Sequence, residues 1–156
     1  MKLNAPLFVA LMFCLLSLNG NAQTNGQKQP LALVEYDENV NAPLTAGEKL
    51  QLKEVYGDKL QEYILSKPHR LKAIKNIFRN RVEIIELSDP KDQKDCELLS
   101  EVSLFNYYVK DLKRELVFNK NTFNPFKYNF NFYSRGSHMY RVDNTNYFIL
   151  IKSQHN

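Results

Sequence analysis

Between residues 126 and 132 the chain alternates without a break: Phe126, Tyr128, Phe130 and Phe132 on one side, Lys127, Asn129 and Asn131 on the other. A period of two places successive side chains on opposite faces of an extended backbone. On a helix the same four rings would be scattered around the axis. The pattern predicts a half-buried strand. Turn signals follow it at short intervals. Arg135-Gly136 predicts a tight turn, residues 138–142 a returning strand, Asp143-Asn144-Thr145-Asn146 a second turn, and residues 147–152 a last strand. The expectation is a three-stranded antiparallel β-meander. Its last strand is apolar, and as an edge it would be open to pairing with another chain.

Two helices are expected ahead of this sheet. Thr45-Ala46-Gly47-Glu48 matches a capping box, in which a hydroxyl and a carboxylate three residues apart each satisfy an orphan amide. Behind it Leu52, Val55, Tyr56, Leu60, Tyr63 and Ile64 recur at helical spacing, with Lys49, Lys53, Asp58, Lys59 and Glu62 on the other side. Gly57 weakens the pattern, and Pro68 ends it near Lys67. A second helix is expected over about residues 69–80, with Leu71, Ile74, Ile77 and Phe78 as its stripe. Residues 82–87 read as a strand or a helix end, and residues 97–109 fit either state. The fold class is therefore α+β: two N-terminal helices packed on the apolar face of a C-terminal antiparallel β-meander. With 156 residues the chain is too short for a two-halved dinucleotide fold or an eightfold barrel.

Residues 1–22 stand apart from this fold. Lys2 supplies a positive start, and residues 7–16 form an unbroken apolar run. A signal peptide's apolar region is typically about 7–15 residues, whereas a bilayer span needs about 20. Small residues at Gly20 and Ala22 place cleavage before Gln23, with residues 23–30 a flexible leader and residues 31–156 a single domain. The mature chain would keep 134 residues (156 − 22) and a net charge of +3 (20 Lys and Arg against 17 Asp and Glu). Its one cysteine would be Cys96, between Asp95 and Glu97, whose acids raise a thiol's pKa. No internal disulfide is then possible, so an ordinary core must hold the domain.

The stretch 123–153, with Phe-Lys-Tyr-Asn-Phe-Asn-Phe-Tyr-Ser-Arg-Gly-Ser-His-Met-Tyr at its centre, resembles a group of short exported proteins of Bacteroidota. Segments 65–85 and 98–104, and a leader ending Asn21-Ala22-Gln23, resemble the same group. The likeness covers most of the mature chain. It implies an envelope location and a single domain, and it carries no catalytic residues onto this sequence.

Candidate chemistry is sparse. His69, His138 and His155 lack a second ligand at helical or strand spacing, which argues against a metal. Seven acids crowd into residues 83–101, and after Glu115 only Asp143 remains, so the aromatic third carries no carboxylate pair of the kind a glycosidase needs. Ser137-His138 with Asp143 makes a triad on paper, but neighbouring side chains of a strand face opposite ways. No glycine-rich phosphate loop occurs, and no cofactor is expected.

Charge segregation is the stronger lead. Lys67, Arg70, Lys72, Lys75, Arg79 and Arg81 fall in fifteen residues (67–81) without an acid. This run suits an anionic surface or an acidic envelope protein. Its plain alternative is a solvated helix face neutralised by the acidic segment 83–101 folding back. Tyr107, Tyr108 and Tyr133, with the asparagine-rich face, form a candidate exposed aromatic surface. An exported protein with a charge of +3 is a poor partner for nucleic acid, and no span remains after cleavage. The expected function is a non-catalytic binding or accessory module of the periplasm or outer membrane. The alternatives are a ligand- or lipid-carrying domain with an aromatic-lined cavity, and a small hydrolase of envelope polymer using Asp143, His138 or Cys96.

Overall fold

The first helix begins where its capping box stands. The structure, a computed structural model, describes residues 34–89 and 95–155. The proposed signal peptide and the leader lie outside the described residues. Helix α1 is Ala46–Tyr56. Thr45 Oγ1 accepts from the Glu48 amide at 3.1 Å, and the Thr45 amide donates to Glu48 Oε2 at 2.7 Å. Leu52 and Val55 are fully buried on its inner face. The helix does not run on to Lys67 as one rod. Gly57 takes φ +53°, a left-handed backbone that glycine tolerates, and its amide closes onto the Lys53 carbonyl. The chain continues as a 3-10 turn at Gly57–Lys59 and a wider π turn at Gln61–Leu65, which bury Leu60 and Ile64. Pro68 opens helix α2, Pro68–Asn76, at a position where its missing amide costs nothing. A π turn at Ile77–Arg81 then delivers the chain into strand β1, Val82–Glu86.

The protein is a mixed α+β fold with a small antiparallel sheet. Strands β2, His138–Arg141, and β3, Tyr147–Ile151, form the expected hairpin around the 143–146 turn, where Asn144 takes φ 54°. The third strand is β1, and the order is β1-β3-β2. Ile84 and Tyr140 both pair with Ile149, so these three, with Val82 and Ile151, form the sheet's core face. The meander expected from the alternation is therefore corrected in two respects. Residues 126–132 contribute no strand, and the order β1-β3-β2 is not that of a meander, because β1, directly after the helices, pairs with the last strand. The last strand is central, not an edge, which explains its apolar sequence: Phe148, Ile149 and Ile151 are covered from both sides. Phe148 lies on the reverse face under the Arg141 guanidinium, 5.6 Å from the ring centre. The segment at 97–99 closes the outer edge of β2 through Arg141 to Glu97 and Leu99 to Arg141 backbone bonds.

The alternating stretch keeps its inward face without a ladder. Pro125 lacks an amide donor and starts a 3-10 turn at Pro125–Lys127, with the Asn124 side chain accepting from the Phe126 amide. Beyond it the backbone makes a single antiparallel bridge, between Tyr128 and Leu104 of the segment 103–105. Phe126, Tyr128, Phe130 and Phe132 are all buried, and their rings contact one another at 5.3–5.9 Å. The polar side of the alternation divides. Asn129 and Asn131 are exposed, but Lys127 is buried, donating to Glu54 at 2.9 Å and Glu115 at 2.7 Å. Burial works against its charge, yet the two carboxylates hold its pKa above the ordinary lysine value.

Candidate functional site

The six cations of residues 67–81 do not form one patch. Lys67, Arg70 and Lys72 are exposed, on the first turns of α2. Lys75 turns inward and donates to the carbonyls of Val40 at 3.0 Å and Ala42 at 2.8 Å. Arg79 forms a bidentate pair with Glu48, 2.7 Å from Oε1 and 2.8 Å from Oε2, and also donates to the Asn39, Ala42 and Pro43 carbonyls. Arg81 is buried and donates to the carbonyls of Lys152 and Phe132. Lys75, Arg79 and Arg81 are thus withdrawn from any surface patch, because each is engaged by backbone carbonyls, and Arg79 by Glu48 as well. Among the described residues no ion pair joins this stretch to the acidic segment after it.

The exposed end of the helix faces a cleft. A hollow of about 550 Å³ lies between α2 and the aromatic stretch. His69, Arg70, Ala73 and Ile74 form one wall. Phe126, Tyr128, Phe130 and Phe132 form the floor, and Tyr56, Phe105, Tyr108 and Tyr133 close the sides. Eight of the lining residues are therefore aromatic, and none is a carboxylate or a lysine. The size falls within the range of about 300–1,000 Å³ usual for small-molecule sites.

Local structure accounts for each wall. The helical spacing of His69, Arg70, Ala73 and Ile74 puts them on one face of α2. Tyr108 is fixed by its neighbours: its ring centre lies 5.2 Å from Tyr56, 5.0 Å from Tyr63 and 4.8 Å from the exposed Tyr107. Arg70 has one long hydrogen bond among the described residues, 3.4 Å to the Tyr63 carbonyl, so most of its five donors remain available at the rim. The apolar character shows in the phenols. Burial, reinforced by Tyr133 and Tyr108, pushes Tyr56 up to about 12, and burial also raises Tyr108. Arg70 acts in the opposite direction on both, which places its charge at the cleft.

Of the three aromatic residues expected at the surface, Tyr133 and Tyr107 are both 69% exposed and Tyr108 is half-buried. Tyr108 and Tyr133 line the cleft, and Tyr107 packs edge-on against Tyr108 from outside it. The structure so joins two groups that stood apart in the sequence, Arg70 from the basic run and two of these tyrosines. Tyr56, Phe105 and His69 were missed as cleft residues. Their sequence signal, a helical stripe or a lone ring, is the same for core and for cleft.

The residues considered for hydrolysis are dispersed. Ser134 Oγ, not Ser137, lies 2.6 Å from His138 Nε2. Asp143 accepts from the Ser100 hydroxyl at 2.5 Å and from its amide at 3.0 Å, beside a hollow of about 160 Å³. The Cys96 thiol is half-buried, and its pKa is raised by burial first, with Asp95 adding to the rise and Arg141 opposing it. Among the described residues no group of three His, Cys, Asp or Glu side chains is placed to hold a metal, and no helix is long and apolar enough to cross a membrane. Compared with known proteins, the chain matches no family model, no curated protein and no solved structure.

Proposed function

We propose that the chain is an exported, non-catalytic binding domain of the bacterial envelope, and that it binds through the aromatic cleft. Its ligand is a small amphipathic molecule with a flat or extended apolar body and an anionic group. The carrying observation is the composition of the cleft: eight aromatic rings around about 550 Å³, one arginine at the rim and no carboxylate. Rings desolvate and stack on an apolar body, and the guanidinium offers a paired hydrogen bond to a carboxylate, sulfonate or phosphate. Export rests on the pattern of residues 1–22. The basic run as a whole is a weaker candidate surface, since three of its six cations serve the fold.

The test uses 8-anilinonaphthalene-1-sulfonate, an aromatic anion that fluoresces on leaving water. It should bind the native protein saturably, and Arg70→Gln should weaken that binding roughly tenfold, the worth of one hydrogen bond to a charged group. Saturable binding indifferent to Arg70, or none by the folded protein, would refute the cleft reading.

A further inference from the structure

A second surface, independent of the cleft, lies in the irregular segment after Tyr108. Leu116 and Val117 sit at a bend and are 103% and 81% exposed. Nothing about a loose loop puts them there, because both sides of the bend are fastened. Before it, Arg114 donates to the carbonyls of Leu99 and Val102, and Glu115 accepts from Lys127 and from the Tyr128 hydroxyl at 2.8 Å. After it, Phe118 packs on Phe123 and Tyr147, with ring centres at 5.3 Å and 5.6 Å. The fold holds two aliphatic side chains outward between anchored neighbours.

The exposed charges nearest the bend in sequence are lysines, while the Asp143 carboxylate, engaged by Ser100, lines the hollow that Leu116 borders. Lys113 and Lys120 are exposed on either side, and Lys120 lies 5.8 Å from the Tyr147 ring centre. Glu115 is the one acid between residues 112 and 124, and it is engaged by Lys127. The nearest exposed acid in sequence is Asp111.

We infer that this bend is a membrane-contacting wedge: Leu116 and Val117 enter the interfacial layer of an anionic bilayer while Lys113 and Lys120 remain among the headgroups. The shape favours lipid over protein. Protein-binding patches carry a broad apolar or aromatic core and are depleted in lysine. A narrow convex apolar tip with flanking lysines suits an interface where side chains insert and ammonium groups snorkel.

Hydrogen exchange measured on the full chain, with and without vesicles of phosphatidylcholine containing about one-third phosphatidylglycerol, tests the inference. The readout is local to residues 112–120, because the apolar run at residues 7–16 can itself partition into lipid. The anionic vesicles should slow exchange there, and pure phosphatidylcholine should do so far less. The variant L116N/V117N, altered only at exposed positions, should melt as the parent does and need at least about tenfold more lipid for the same protection. Lys113→Gln and Lys120→Gln should each raise that lipid requirement about fivefold. Unchanged exchange at 112–120, or protection that L116N/V117N retains, would overturn the wedge. Either result leaves the cleft reading untouched, since the dye test reads Arg70 and not the bend.

Discussion

Two halves of one helical stretch carry the same charge and do opposite work. Lys67, Arg70 and Lys72, on the first turns of α2, point to solvent, and Arg70 reaches the rim of the aromatic cleft. Lys75, Arg79 and Arg81, a turn or two later, tie the helix to residues 39–43, to Glu48 and to the last strand. What separates them is the environment each side chain meets. Beside the second half lie carbonyls at 39, 40, 42, 43, 132 and 152 that accept from these cations, those of Val40 and Phe132 in buried positions. A buried carbonyl without a donor is costly. A long cation can satisfy two or three at once, so a charge run in a sequence marks a surface only when no such carbonyls lie beneath it.

The division can be tested by removing its members in turn. The largest effect should come from the floor that both halves of the helix pack near. Phe130→Ala should cost about 3–5 kcal/mol in urea unfolding, because Phe130 touches Tyr128, Phe132 and Tyr140, and the void would not refill. Arg81→Ala should follow at about 2–4 kcal/mol, since it strips a charged donor from the part-buried Lys152 carbonyl and from the buried Phe132 carbonyl. A loss as small as that from Lys72→Gln would break the proposed distinction between the two halves.

The Glu48–Arg79 pair should rank next and carries a pH signature. The hydrogen bond from Arg79 is the largest influence on the Glu48 carboxyl and holds its pKa below the ordinary value of 4.5, against the opposing effect of burial. A depressed carboxylate stabilises the fold at pH values above the unfolded pKa, and that stability is lost as pH falls through the folded one. Glu48→Gln should therefore lower stability by about 1–3 kcal/mol near neutrality and progressively less on acidification below 4.5, so that the two melting curves converge in acid. A constant gap across the range would show that the pair contributes packing and not charge.

The smallest effects on stability belong to the outward half. Lys67→Gln with Lys72→Gln, and Arg70→Gln alone, should each change unfolding free energy by no more than about 0.5 kcal/mol. They separate in binding: the first pair should leave dye affinity unchanged, and Arg70→Gln should lower it. Should the two lysines matter as much as Arg70, the whole outward half, and not the cleft rim, would be the anion-binding surface.

The comparison of Lys127 with Asn129 shows where sequence patterns stop. Both stand on the polar side of the same alternation, and the periodicity treats them alike. Asn129 is exposed, bonded to Ser103 and Leu104, whereas Lys127 lies between two carboxylates from segments 73 and 12 residues away. The capping box at Thr45 and the hairpin at 143–146 were legible because each is closed by residues a few positions apart. The cleft was legible only in pieces, as a basic run and as three tyrosines.

By itself the sequence determined the local elements: where α1 begins, that Pro68 closes the first helical stretch, that β2 and β3 form a hairpin, and that every second residue from 126 to 132 faces inward. Those outcomes depend on backbone dihedrals, caps and side-chain alternation, which act over a few residues. The tertiary structure alone decided that β1 and not residues 126–132 completes the sheet, that β3 is central, and which three of six cations remain outside. Strand partners and buried cations are chosen by whichever distant groups lack a hydrogen bond or an apolar cover, and that shortage exists only once the chain has folded.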